Sequence, residues 1–179
     1  MGNPVHGICS PGEGILPYDR IMLESPMGSK FFNAHDDAGS MVAGMLCYRS
    51  ATTQANDMTA CAAEWGDIGT EGKIYVVEIP GSDIHMATNF DKTTTYSQND
   101  PILIREIRIG DRLWLKGSTC TCVEDTTLYP ANSGLVDVGS KPSEAAIEKT
   151  SHTFIALGAM TSGTWMVGEY VGITAYDDT

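Results

Sequence analysis

The sequence predicts a mostly β protein, with a small barrel or sandwich body and an extended N-terminal arm or subdomain. Short stretches rich in β-branched and aromatic residues recur from Lys73 onward, and Gly-containing turns separate them at close spacing. The only helical pattern in this half is "KPSEAAIEK" (141–149), with Ser143 as its cap. We therefore divide the chain into an arm or subdomain, residues 1–70, and a β body, residues 71–179.

The first segment is rich in Gly, Pro and Met, and four prolines fall between Pro4 and Pro26. Proline removes a backbone donor and breaks helices, so this density excludes a long helix there. We expect an extended arm with short strands at Arg20 to Leu23 and at Met41 to Cys47.

One short helix is predicted before residue 70, through "MTACAAEW" (58–65). Asn56 or Asp57 precedes it as a candidate N-cap, because their side chains accept hydrogen bonds from the first free amides. Gly66 follows it and favours a C-terminal stop.

The β half begins with "KIYVVEIP", which stops at Pro80-Gly81. The next strand pattern, "ILIREIRI" (102–109), changes its apolar parity between Ile104 and Ile107. Such a slip predicts either a bulge at Arg105-Glu106 or a strand that changes neighbours.

The stretch "IRIGDRLWLKGSTCTC" (107–122) predicts a barrel corner. Gly110 permits a tight backbone, and the Asp111 side chain can accept hydrogen bonds from the turn's own amides. Leu113 and Leu115 then return the chain to the core. Three further strands are predicted within "SGLVDVGS", "HTFIALGA" and "TWMVGEYVGITAY", with Ser162-Gly163 as the turn between the last two.

Charge excludes two classes of function. The chain has 23 acidic and 11 basic residues, for a formal net charge of −12, and no window concentrates Lys or Arg. Binding to nucleic acid or to an anionic membrane surface needs basic groups, so we expect neither partner. No apolar run approaches the roughly 20 residues of a membrane-spanning helix. The opening "MGNPVHGICS" lacks the charged and apolar regions of a secretory signal.

Cysteine usage predicts folding in a reducing compartment. The five cysteines are an odd number, are irregularly spaced and contain no Cys-x-x-Cys pair, so we expect no disulfide framework. Cys120 and Cys122, together with His6 and Cys9, have the residue types of a zinc site. Alternate residues of an extended strand face opposite sides, however, and structural zinc sites usually use Cys-x-x-Cys knuckles. We therefore expect ordinary strand residues and leave convergence on a metal open.

The cluster "NAHDD", with His35, Asp36 and Asp37, contains groups suited to metal binding or acid–base chemistry. Three adjacent residues rarely converge without distant partners, so a solvated turn is the favoured interpretation. Three tryptophans, Trp65, Trp114 and Trp165, have a residue type that lines ligand pockets. Trp114 and Trp165 lie within predicted strands, where a core or subunit contact is the commoner role. We accordingly expect no catalytic, cofactor-binding or metal-binding residues and no enzyme activity.

Residues 102–175 resemble the capsid decoration (cement) proteins of tailed viruses. The elements that carry the resemblance are "IRIGDRLWLKG", "SGLVDVGS" and "HTFIALGAMTSGTWMVGEYVG". In that family a strand runs into Gly-Asp and a second strand, and a glycine-bounded strand follows. An "ALxAxxxGxxxxV" segment then leads into the closing strands. In this chain the similar residues are Ala156 to Ala159, Gly163 and Val167, with three residues rather than four between the glycine and the valine.

The resemblance implies a structural virion protein that binds the outside of a viral capsid and stabilises it. Its implied partners are the major capsid protein and copies of itself, as a homo-oligomer for which a trimer is expected. It would be made in the host cytoplasm, be located on the virion surface and need no cofactor. Two alternatives stay open: a small β-barrel enzyme or ligand-binding protein using His35, Asp36 and Asp37, and another virion component such as a head–tail adaptor.

Overall fold

The computed structural model describes residues 21–37, 39–50, 61–64, 72–78, 95–118, 121–131, 134–138, 150–161 and 163–175. The regular structure in these ranges is almost entirely β, which confirms the predicted fold class. Among the same residues, no helix has the length and apolar character needed to cross a membrane.

The strands are numbered in chain order. They are β1 (Met22–Glu24), β2 (Phe31–Asp36), β3 (Leu46–Ser50), β4 (Cys61–Glu64), β5 (Tyr75–Val77), β6 (Pro101–Glu106), β7 (Arg112–Lys116), β8 (Thr127–Pro130), β9 (Val136–Asp137), β10 (Thr150–Ala156) and β11 (Trp165–Ala175).

Five of these strands close into a small barrel in the order β2-β4-β3-β5-β6, with β6 pairing back onto β2. The β2–β4 pair is parallel and the other four pairs are antiparallel. A buried cluster forms the barrel core: Ala34, Met41, Cys47, Tyr75, Val77, Tyr96, Ile102 and Ile104, with Phe32 packed against it.

The other six strands form a sheet in the order β1-β7-β11-β10-β8-β9, with every pair antiparallel. Its longest pairing joins β10 to β11, with a register shift between Thr153 and Phe154. Gly117, just after β7, forms a parallel bridge with Val136 of β9. β9 is one edge strand of the sheet, and β7 lies next to the opposite edge. The bridge between them therefore curls the sheet.

The barrel and the sheet pack against each other through a larger buried cluster to which both contribute, which we call the main core. Its members are Ile21, Met22, Ala43, Leu46, Ile74, Val76, Ile107, Leu113, Leu115, Cys122, Leu128, Val136, Phe154, Ala156, Met160, Met166 and Tyr170. Leu46 pairs with Val76, and Cys47 pairs with Tyr75, on the neighbouring strands β3 and β5. Because successive strand residues face opposite sides, Leu46 and Val76 belong to the main core, whereas Cys47 and Tyr75 belong to the barrel core. One barrel wall therefore serves two apolar clusters.

The turn before β3 also contacts the sheet. Gly44 has a φ of +80° and lies so close to Trp165 that a Cβ at this position would overlap the indole ring. Its carbonyl oxygen also accepts a hydrogen bond of 3.3 Å from the Lys116 amide. Gly44 is thus required both by the backbone conformation and by the close approach of the indole.

The predicted corner at Gly110 and Asp111 is confirmed, and it is where the chain leaves the barrel for the sheet. Gly110 has a φ of +86°, and the Asp111 carboxylate accepts a 2.8 Å hydrogen bond from the Arg108 amide. Burial raises the pKa of the Asp111 carboxyl group. Leu113 and Leu115 are fully buried, as expected.

The parity slip in "ILIREIRI" corresponds to neither predicted cause: Ile104 packs in the barrel core and Ile107 in the main core, while the Ile107 amide still donates to the Ile74 carbonyl on the β5 side. β6 keeps an unbroken register with β2 as far as Arg105 and with β5 as far as Glu106. After the corner, β7 pairs instead with β1 and β11 of the sheet. The apolar positions shift because the chain exchanges one set of packing partners for another.

The helix predicted through residues 58–65 is wrong over Cys61–Glu64, which form β4. This strand lies between β2 and β3, so it supplies backbone hydrogen bonds that close the barrel. An alanine-rich segment has helix propensity, but a helix this short is marginal on its own and tertiary pairing overrides it. The proposed caps Asn56, Asp57 and Gly66 lie outside the described residues, as does the helical pattern at 141–149.

The two strands predicted before residue 50 are present with shifted bounds. The first is β1, Met22–Glu24 rather than Arg20 to Leu23. The second, expected at Met41 to Cys47, is β3, Leu46–Ser50. Residues 41–45 form a turn instead, because Gly44 takes a positive φ and Val42 bridges to Thr95.

Candidate functional site

Asp36, the last residue of β2, is fully buried and binds the turn that follows it. Its carboxylate accepts backbone hydrogen bonds from Gly39 at 2.7 Å, Ser40 at 3.1 Å and Met41 at 2.9 Å. Three amide donors stabilise a buried anion in the way that a bound cation or a salt-bridge partner would. The carboxylate therefore stabilises the turn between β2 and β3.

His35 and Asp37 do not converge on Asp36. His35 is 5% exposed, and its Nδ1 has no hydrogen-bond partner among the described residues. It precedes Asp36 on the strand, so the two side chains leave opposite faces. Asp37 is half-buried, and its carbonyl oxygen accepts a 3.2 Å hydrogen bond from Gln98 Nε2. The expected turn is present, but His35 and Asp36 are buried rather than solvated.

Cys122 is buried beside two methionines in the main core. It exchanges two backbone hydrogen bonds of 3.0 Å with Met160, and its Sγ lies 3.8 Å from Met166 Sδ. Burial raises the pKa of the Cys122 thiol, which favours the unreactive protonated form. The other residues of the suggested zinc grouping, His6, Cys9 and Cys120, lie outside the described residues. Within the described ranges, no three His, Cys, Asp or Glu side chains are grouped as metal ligands.

Glu78, just after β5, anchors the edge strand β1 to the barrel. Its Oε2 accepts the Ile21 amide at 3.1 Å, its Oε1 accepts the Met22 amide at 3.4 Å, and Arg105 Nε lies 2.9 Å from Oε1. The guanidinium of Arg105 also lies over the Phe31 ring, 3.9 Å from its centroid. Because Glu78 is buried, it is a structural anion rather than a group available to solvent.

Two side-chain hydrogen bonds link β10 to β11. His152 Nδ1 and the Tyr170 hydroxyl form a hydrogen bond of 2.6 Å, and Thr153 Oγ1 lies 2.6 Å from Thr174 Oγ1. Burial raises the pKa of Tyr170 to about 12. The hydroxyl therefore stays protonated over the ordinary pH range and serves as a structural hydrogen-bonding group.

A groove of about 460 Å³ opens on the sheet and is the candidate binding site. Its lining consists of Trp114, Glu124, Leu157, Gly158, Ala159, Trp165, Met166 and Val167, and we call it the tryptophan groove. Trp114 pairs with Val167, and Trp165 lies two residues before Val167, so both indoles leave the same face of the sheet. The volume falls within the usual range of small-molecule pockets.

Only part of this groove can be predicted from the sequence. Trp114 and Trp165 are half-buried and pack against the main core, which is the role favoured from sequence, but they also line the groove. Glu124 and the small residues 158–159 were not predicted, since they come from turns far apart along the chain. Only the strand pairing brings them together, and no local motif reports it.

Comparison with known proteins gives no further guide to function. No family model and no curated protein matches the sequence.

Proposed function

We propose that the protein is a structural virion component that binds the outer surface of a viral capsid and stabilises it. The observation that supports this proposal most is where the resembling segments lie in the fold. Residues 102–175 supply β7, β8, β9, β10 and β11, which are all the strands of the six-stranded sheet except β1. Apart from β6, which leads into the corner, the resemblance to capsid decoration proteins therefore covers one structural unit rather than scattered strands.

An exposed apolar patch supplies a candidate contact surface. Met27, Ile109 and Ile173 are 67%, 62% and 49% exposed, and we call them the end patch. Arg108 Nη1 donates a 3.3 Å hydrogen bond to the Met27 carbonyl, which holds the two turns together. Ile109 lies over Gly172, the residue that precedes Ile173 in β11. Clustered exposed apolar residues are typical of surfaces that contact another protein.

The direct test is binding to capsid shells. We expect the purified protein to cosediment saturably with shells assembled from the major capsid protein encoded in the same genome, and to raise their thermal stability. An Ile109→Ser, Ile173→Ser double variant should weaken this binding, because it removes apolar area from the end patch. Val123→Ser is the matched control, since Val123 is also 67% exposed but is not part of the patch.

Two results would contradict the proposal. One is the absence of saturable binding to such shells by a folded protein. The other is a genome that encodes the chain but no capsid protein. Sedimentation of the free protein separately tests the expected trimer.

A further inference from the structure

We propose that the tryptophan groove binds a small organic cation, an ammonium or guanidinium group carried on an apolar stem. This site is independent of the proposed capsid function. Its lining residues come from the sheet and its turns, whereas the end patch lies around residues 27, 109 and 173.

The walls of the groove suit an apolar stem. Trp114 and Trp165 are diagonal neighbours on adjacent strands, and Leu157 adds an aliphatic side chain. Gly158 and Ala159 have almost no side chain, so they leave the space between these walls open. The Leu157 amide donates a 2.8 Å hydrogen bond to the carbonyl oxygen of Val167, which fixes this segment beside the tryptophan strand.

The charge of the groove selects a cation. Glu124 is the only ionisable side chain among the eight lining residues, and it is exposed. The faces of indole rings carry negative potential and attract positive groups. Lys116 Nζ already lies 5.2 Å from the ring centroid of Trp165, so we assign the ligand's positive group to Trp114 and Glu124 rather than to Trp165. A ligand that combines an apolar stem with positive charge would match both features of the lining.

The carboxylate is held on a rigid turn, which favours a formed site. Before Glu124, the Val123 amide donates a 3.2 Å hydrogen bond to Thr126 Oγ1. After it, the Asp125 amide donates to the Ala156 carbonyl at 2.8 Å, and the Ala156 amide donates to the Thr126 carbonyl at 2.9 Å. These bonds attach the turn to the end of β10, so the backbone that carries Glu124 is positioned before any ligand arrives.

The test measures binding of choline and of its neutral isostere 3,3-dimethylbutan-1-ol, by tryptophan fluorescence and calorimetry at physiological salt. The two probes have nearly the same shape, so the difference between them reports the charge. We expect choline to bind about tenfold more tightly, which corresponds to about 1.4 kcal/mol. N-acetyl-lysine amide represents a protein side chain, and its affinity relative to choline distinguishes a free cation from a cationic side chain as the natural ligand.

Two substitutions locate the site. Glu124→Gln keeps the shape of the side chain and removes its charge, so it should weaken choline binding at least fivefold. Asp125→Asn is the matched control: Asp125 is exposed, does not line the groove and has a φ of +64°, which Asn tolerates. Ala159→Leu should fill the groove and abolish binding without changing the circular dichroism spectrum.

Three outcomes would overturn the proposal. The first is equal affinity for choline and the neutral probe. The second is no binding of either cation at concentrations up to about 50 mM. The third is an equal loss of choline affinity in the Glu124 and Asp125 variants. Such a result would mean that choline responds to the net charge of −12 on the whole chain and not to Glu124 in particular.

Discussion

The barrel and the six-stranded sheet are built in opposite ways. The barrel closes through five strands of three to six residues, with one parallel pair, from segments spread between residues 31 and 106. The sheet is dominated by β10 and β11, two long neighbouring strands that are consecutive in the chain. The barrel therefore depends on non-local closure, whereas the sheet contains a strong local pairing.

The buried polar side chains of the barrel and of the sheet also differ in what they bind. In the barrel, the Asp36 carboxylate binds the backbone of a turn, so one side chain determines how two strands are joined. In the sheet, His152 and Tyr170 pair across strands whose backbones are already hydrogen-bonded. We expect the barrel to be more sensitive to the loss of a single polar group, and the sheet to the loss of apolar volume.

The largest effect should come from Phe154→Ala. Phe154 is fully buried in the main core, with its ring centroid 5.1 Å from that of Tyr170. We expect the free energy of unfolding in urea to fall by about 3–5 kcal/mol, because a large core cavity is created. Ile173→Ala, at a half-exposed position of the same sheet, should change it by about 0.5 kcal/mol or less. A cost below about 1 kcal/mol for Phe154→Ala would mean that the main core does not hold the two bodies together.

A smaller but more local effect should follow from Asp36→Asn. The amide is neutral, and its NH₂ group cannot accept hydrogen bonds, so at least one buried backbone donor loses its partner. We expect a loss of about 2 kcal/mol, with hydrogen exchange rising first in β2 and β6. Asp37→Asn removes the same charge one residue along and should have little effect. Equal protection changes in β10 and β11 would contradict a role confined to the barrel.

The most selective effect should appear at high pH. Burial raises the pKa of Tyr170 to about 12, and burial, assisted by Asp100 and Glu78, also raises the pKa of Tyr96. An unfolded tyrosine ionises near pH 10, so the unfolded chain releases its proton first. The stability contributed by Tyr170 is therefore complete below about pH 10 and is lost as pH rises toward about 12.

The slope of stability against pH tests each buried tyrosine by itself. Between pH 10 and 12, Tyr170→Phe should reduce the slope by about 1.4 kcal/mol per pH unit, and Tyr96→Phe should do the same for the barrel. Either variant also loses a hydroxyl group at every pH, so the measured quantity is the slope of the urea unfolding free energy and not its value. An unchanged slope in Tyr170→Phe would show that this hydroxyl ionises as easily in the folded protein as in the unfolded one.

The parts of the fold that could be predicted from sequence are those formed by local pairing. The Gly110-Asp111 corner and the closing strands were recognised because a glycine turn flanked by alternating apolar residues is a local pattern. β4 was not recognised, since its hydrogen bonds come from β2 and β3 and its alanines favour a helix when considered alone. Local signals report local pairings, and the closure of the barrel is not one of them.

The candidate site was predicted less well than the fold. His35, Asp36 and Asp37 were selected for their residue types, but type alone does not show that a carboxylate is already occupied by three amides. Trp114 and Trp165 were noted, yet their pairing with Lys116 and Val167 is a property of register. A groove assembled from four separate segments leaves no motif in the sequence.

The contact between Gly44 and Trp165 has an evolutionary consequence. The indole occupies the space that a Cβ at residue 44 would need, so neither position can change freely while the other is kept. Homologous chains should therefore covary at these two positions, with tryptophan at 165 accompanied by glycine at 44. Chains with a smaller residue at 165 should tolerate Asn at 44, where the positive φ still excludes branched side chains. Covariation of these two positions would show, from sequences alone, that the barrel and the sheet have evolved together.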